Sequence, residues 1–232
     1  MAEDLFGLNI RGLQSILTLW WRPREYFAAA RDSDWREKYT PSIRLWLSFF
    51  ALLSVLKFWW FGTIAGMVGA FAAGFEDAGL ILPDGMSYQD IGAEAVLWVF
   101  GWVPIVQIIS MFMLALIYNA WGERTTLALR QRFLFAVIIP SASVMPILMT
   151  VMLLVPAQMM TAYGILLAVM AFFIDFQTGY RGGFTNVSRT GRAWRAGLLA
   201  LILVSINTLT TIVVQITGIL LIGQKYGVGP VG

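Results

Sequence analysis

Long uninterrupted apolar runs, parted by short polar stretches, set the pattern of this chain. Five of them are long enough to cross a bilayer: Leu45–Phe61, Ala95–Tyr118, Phe133–Val155, Ala157–Ile174 and Ala196–Ile222. Each falls near the ~17–25 residues a helix needs to traverse a ~30 Å hydrocarbon core, and the last is long enough to tilt. The first run continues apolar from Leu45 to Gly74, roughly 45 Å as a helix and more than the membrane holds. Lys57, followed by Trp59 and Trp60, reads as an interfacial belt with the ammonium snorkelling outward. The first span is therefore expected to end near Phe61. The Gly/Ala-rich residues 62–74 then lie at the outer surface or extend the helix.

Ahead of the spans the period changes. Over residues 5–21, Phe6, Ile10, Leu13, Ile16, Leu17 and Trp20 share one helical face, and Arg11, Gln14, Ser15, Thr18 and Arg22 share the other. Pro23 ends that pattern, and a second short helix is expected from Pro23 to Arg31. With Trp20 and Trp21 paired at its end, the first helix suits the membrane interface. The expected fold is an all-α polytopic transmembrane bundle of five spans with an amphipathic, interfacial N-terminal helix. It divides into a cytoplasmic interfacial segment 1–44, a five-helix transmembrane domain 45–222 and a short non-cytoplasmic tail 223–232.

Charge fixes the sidedness. Of sixteen Lys and Arg residues, fourteen fall within 1–44, 119–132 and 175–195, while 62–94 has none and carries Glu76, Asp77, Asp84, Asp90 and Glu94. Short basic loops stay on the cytoplasmic side, so five crossings place the N-terminus inside and the C-terminus outside. Composition agrees: 12% charged residues is about half of what a soluble domain carries. The net charge of +3 follows this topology and gives no reason to expect nucleic acid as a partner. The expected partners are the lipid bilayer and either another membrane protein or further copies of this chain.

The chain has neither Cys nor His. That removes disulfides, thiolate nucleophiles, His acid–base chemistry, most zinc sites and the usual haem ligands. No catalytic, cofactor or metal residues are assigned, and an enzyme is not expected.

Two groups of residues remain as interaction candidates. At the basic face, Trp20, Trp21 and Arg22 end the amphipathic helix, and Arg181, Arg189, Arg192 and Arg195 crowd one loop. Such arginines either bind phosphate or lipid headgroups or simply hold the loop inside. Within the membrane, Lys57 is the most interior charge, and Asn207, Thr211 and Gln215 align at four-residue spacing. The stripe either hydrogen-bonds between helices or lines a solute path. Pro104, Pro140 and Pro146 fall inside spans and kink them, as transporters do at binding sites. Asp175 and Glu94 are expected near interfaces, where charge costs little.

The segment Leu13-Gln-Ser-Ile-Leu-Thr-Leu-Trp-Trp-Arg-Pro-Arg-Glu-Tyr-Phe27, then Trp35, Pro41 and a long apolar span, resembles bacterial membrane proteins of the Yip (Ypt-interacting protein) domain family. Tyr39-Thr-Pro-Ser-Ile-Arg-Leu is similar to a related bacterial family of uncharacterised membrane proteins. The resemblance covers about residues 1–60. Asp4-Leu5-Phe6-Gly7 is similar to an element of eukaryotic Yip proteins, but Leu8 stands where that element has proline. The resemblance implies a non-catalytic protein of the bacterial inner membrane that organises lipid or protein partners at the cytoplasmic face. The alternative is a small-solute or lipid transporter or channel using the kinked third and polar fifth spans.

Overall fold

The computed structural model of the chain describes residues 10–226, apart from 33, 61–63, 78, 118, 120, 122–124, 153, 156–158 and 185–186. The described residues form helices and connections, with no strand among them. Among the described residues three short helices come first: α1 (Ile10–Trp21), α2 (Pro23–Ala29) and α3 (Trp35–Lys38). They are followed by α4 (Ser42–Trp60), α5 (Ile64–Asp77), α6 (Tyr88–Ile117) and α7 (Leu127–Met152). The chain closes with α8 (Met160–Thr178), which widens into a π-helical turn at Gly179–Gly183, and α9 (Arg189–Tyr226).

Among the described residues, four stretches are long and apolar enough to cross a membrane: Tyr88–Ile117, Leu127–Val151, Ala162–Gly183 and Arg189–Tyr226. They fall on the last four expected spans. In α4 the apolar part that qualifies, Ser42–Leu53, is shorter.

The chain folds as two compact units, one of residues 1–56 and 111–204 and one of residues 57–110 and 205–232. The first is built around α7, where every residue from Phe133 to Ser141 is buried. A helix buried on all sides must be surrounded by other elements. Here α8 and α1 pack on it, and α2 packs on α1 and on the π turn. Pro140 and Pro146 both lie inside α7.

In the second unit α6 starts well before its apolar run because Ser87 and Asp90 cap it. The Ser87 amide and hydroxyl donate to Asp90 Oδ2 at 2.9 and 2.7 Å, and the Asp90 amide donates back to Ser87 Oγ at 3.3 Å. This reciprocal arrangement satisfies N-terminal amides that the helix cannot. α5 crosses α6 at Gly92, where a Cβ would lie 2.6 Å from the Val68 carbonyl oxygen and 3.1 Å from the Ala72 nitrogen. Only a glycine admits backbone at that distance. Phe75, Ile91, Ala95 and Ile222 form the core beside the crossing.

Candidate functional site

The N-terminal helices form a cap on the first unit, and the way α1 is held there defines the candidate site. Pro23 cannot extend α1, so the last carbonyls of that helix need donors from elsewhere. Arg181, on the π turn, supplies both: Nη1 donates to the Trp20 carbonyl at 3.2 Å and Nη2 to the Trp21 carbonyl at 2.7 Å. Arg24 Nε donates in return to the Arg181 carbonyl at 3.0 Å. A guanidinium at a helix C-terminus also complements the negative end of its dipole. The planar fork makes this contact possible, since a lysine ammonium cannot meet two carbonyls in that geometry.

The π turn comes close enough to do this because it is glycine. A Cβ on Gly182 would sit 2.7 Å from the Phe27 ring and 2.8 Å from Pro23 Cβ, and one on Gly183 only 2.6 Å from Trp121. The rings it admits form a buried cluster. Trp121 stacks on Phe184 at 4.9 Å and meets Phe133 edge-on at 5.0 Å, and Phe27 meets Phe133 at 5.1 Å. Arg31 lies 4.7 Å over the Phe133 ring and also donates to the Phe27 carbonyl at 2.9 Å.

A second layer of polar contacts closes the cap. Ser15 Oγ donates to the Arg11 carbonyl at 2.7 Å and accepts from the Thr40 amide at 2.9 Å. The Tyr26 hydroxyl donates to the Thr40 carbonyl at 2.8 Å. Burial holds that phenol well above its ordinary value of 10.0, because the charged form loses its water. Arg132 Nη1 donates to the Ala30 carbonyl at 3.0 Å while its guanidinium lies 4.8 Å over the Trp35 ring.

These contacts change the reading of α1. Its buried face is Gly12, Ser15, Ile16 and Leu19, so Ser15 moves from the expected polar face to the interior, where two hydrogen bonds satisfy its hydroxyl. Ile10, Leu13, Leu17 and Trp21, at helical spacing, face outward instead. The helix thus has two apolar faces, one docked on protein and one open. An open groove of about 550 Å³ runs along it, bounded by Leu13, Leu17, Trp21, Arg22 and Tyr39.

The seven expected interaction residues therefore separate. Arg181 anchors the cap, and the Trp20 indole donates to Ser143 Oγ at 3.0 Å. Arg192 donates to the Phe184 carbonyl at 3.0 Å and lies 5.8 Å over the Tyr180 ring. Trp21, Arg22 and Arg189 are exposed and Arg195 is half-buried. Arg22 makes a surface ion pair with Glu25 at 3.5 Å.

The intramembrane candidates also separate. The Lys57 side chain lies outside the described residues. Asn207 Oδ1 accepts from Gln107 Nε2 at 2.6 Å, a partner that sequence reasoning did not single out. Thr211 turns its hydroxyl back onto the Asn207 carbonyl at 3.0 Å. Among the described residues the half-buried Gln215 side chain has no hydrogen-bond partner.

Asp175 requires a correction. It was expected near an interface, yet it is 4% exposed inside the first unit. Helix α8 runs on past it into the π turn, so the expected loop begins later than charge alone suggested. Its carboxyl accepts from Ser141 Oγ at 2.6 Å, the residue following Pro140. Glu94, in the second unit, pairs with Lys225 at 2.7 Å and accepts from the Tyr226 hydroxyl. No family model, no curated protein and no solved structure matches this chain.

Proposed function

We propose that the chain is a non-catalytic, five-span membrane protein whose N-terminal cap lies in the cytoplasmic interface and organises anionic lipid there. The observation that carries this reading is the open apolar face of α1, Ile10, Leu13, Leu17 and Trp21, on a helix otherwise clamped to the first unit. A helix fixed in this way, with exposed Arg22 and Arg24 beside the apolar stripe, suits acyl chains on one side and phosphate headgroups at its end. In this reading α4 is a span too, the first in chain order, and with five crossings the two chain ends lie on opposite sides. The resemblance of residues 13–27 to Yip proteins of the bacterial inner membrane supports the same role.

The absence of cysteine makes the test direct. Single Leu13→Cys, Gln14→Cys and Leu17→Cys variants, labelled with bimane, are reconstituted in vesicles with and without phosphatidylglycerol. The expected result is a hydrocarbon-like emission at 13 and 17, weaker at 14, and stronger with the anionic lipid. Aqueous emission at all three positions in both vesicles would sink the proposal. An impermeant maleimide acting on Arg22→Cys and Lys225→Cys in sealed vesicles tests the five spans. Labelling of the two from opposite sides is expected, and labelling from one side would reject that topology.

A second reading, transport of a small solute or lipid, is favoured by one feature, the buried Asp175–Ser141 contact beside the intrahelical Pro140. Flux of a fluorescent phospholipid across reconstituted vesicles, abolished by Asp175→Asn, would put transport first.

A further inference from the structure

The second unit carries polar groups where a lipid-facing surface should have none. Asn207 sits at the middle of the 38-residue α9, a helix roughly 57 Å long at 1.5 Å per residue. Any placement of a ~30 Å hydrocarbon core between its charged ends holds Asn207 within it. Asn207 and Thr208 are nonetheless exposed, and Gln107 and Gln215 are half-exposed. The Gln107–Asn207 bond uses one amide donor and one carbonyl acceptor. The Asn207 NH₂ and the Gln107 Oε1 find no further side-chain partner among the described residues. Neither does the Gln215 amide. Hydrocarbon offers no hydrogen bonds, and each unpaired polar group there is costly.

From this stripe we infer that two copies of the chain associate through α6 and α9, with the Gln107–Asn207 amides paired across a two-fold axis along the membrane normal. Such an axis keeps both copies in one topology and sets equal residues at equal depth. Asn207 of one copy then meets Asn207 and Gln107 of the other. A side-chain amide both donates and accepts, so the surface is complementary to itself. The donor left on Asn207 and the acceptor left on Gln107 are what an identical copy supplies. A single buried Asn sets register in coiled coils in the same way. The inference rests on α6 and α9 crossing a bilayer and is independent of what α1 does.

The experiment is oxidative cross-linking of single-cysteine chains in reconstituted vesicles at falling protein-to-lipid ratio. Thr208→Cys lies on the stripe, and the exposed Val213→Cys lies on another side of the helix. A covalent dimer is expected at 208 and not at 213. In the 208 background, Gln107→Leu with Asn207→Leu should weaken dimerisation about tenfold, while Asn207→Gln, which keeps an amide, should retain it. Thermal unfolding of each variant shows that the chain remains folded. Equal cross-linking at both positions, or a dimer indifferent to the double substitution, overturns the inference. So does a monomer in pure vesicles that forms a larger species only in native membranes, which would assign the stripe to a different membrane protein.

Discussion

The cap of the first unit and the helix pair of the second solve the placement of polar groups in opposite ways. In the cap, Ser15, Tyr26, Thr40 and Arg132 point inward and meet partners, and α1 turns Ile10, Leu13, Leu17 and Trp21 outward. In the second unit the core is apolar, and α6 and α9 are joined at separate levels. Gln107 meets Asn207 at 2.6 Å, the Trp98 indole donates to the Val214 carbonyl at 3.0 Å, and Glu94 meets Lys225 at 2.7 Å. The first arrangement pairs its polar groups inside and leaves an apolar stripe outside. The second leaves hydrogen-bonding capacity at the surface. Substitutions should therefore be felt more strongly in the cap for packing, and more strongly in the second unit for association.

The largest effect is expected at Phe27, which is fully buried among Trp121, Phe133 and the glycines of the π turn. Phe27→Ala should cost about 3–5 kcal/mol. Trp98→Ala removes a larger ring, but one only half-buried, and should cost less. Unfolding of both in detergent micelles by titrated denaturant makes the comparison. Equal losses would break the contrast between the two units.

Glycine contacts sharpen it. Gly183→Ala drives a methyl into the buried Trp121 ring at 2.6 Å and should cost about 1–3 kcal/mol. A Cβ on Gly218 comes even closer to Trp98, at 2.3 Å, yet that ring is half-exposed and free to turn aside. Its main loss is the indole hydrogen bond, about 1 kcal/mol. The same melting measurement ranks the two, and a larger loss at Gly218 would show that Trp98 is held as firmly as Trp121.

Arg181→Lys comes next. It keeps the charge but loses the planar fork whose two nitrogens each meet one carbonyl, and charge-assisted bonds are worth about 1.5–3 kcal/mol. The effect should stay local: faster hydrogen exchange in residues 10–21, with exchange in 88–98 unchanged. Loosening of both segments would mean that the clamp supports more than the cap.

Much of this was legible in the sequence and some was not, for physical reasons. The apolar runs gave the four long helices, because a bilayer imposes length and composition on any span. The helical period read over residues 5–21 coincides with α1 at Ile10–Trp21, residues 5–9 lying outside the described ones. The buried face of that helix was misread, because Ser15 counts as polar until Thr40 supplies its partner from 25 residues away. Arg181 stood out only as one arginine among four, since nothing local reveals that two carbonyls of α1 wait opposite it. Asp175 was placed by its position at the end of an apolar run, and Ser141, 34 residues away, decides its surroundings. Gln107 drew no notice because a lone amide has no period. The stripe of Asn207, Thr211 and Gln215 did, and Asn207 is the member that Gln107 meets.

The smallest effect at neutral pH is expected from Tyr26→Phe, which deletes a single buried hydrogen bond to the Thr40 carbonyl, about 1 kcal/mol. Its pH dependence carries more information than its size. Burial, with Tyr39 beside it, raises the phenol above its ordinary value of 10.0 in the folded chain. The unfolded chain then loses the proton first. Stability from this group is complete below pH about 10 and falls as pH rises beyond it, because only the unfolded state gains by ionising. The advantage of the native chain over Tyr26→Phe should accordingly shrink in alkali. A bimane label in the cap should report that loss, while a label at Thr208 in the second unit should melt alike in both chains. If the two labels respond together, the units unfold as one and the comparison holds only for local packing. If the cap melts first, its polar interior is what makes it separable from the helix pair.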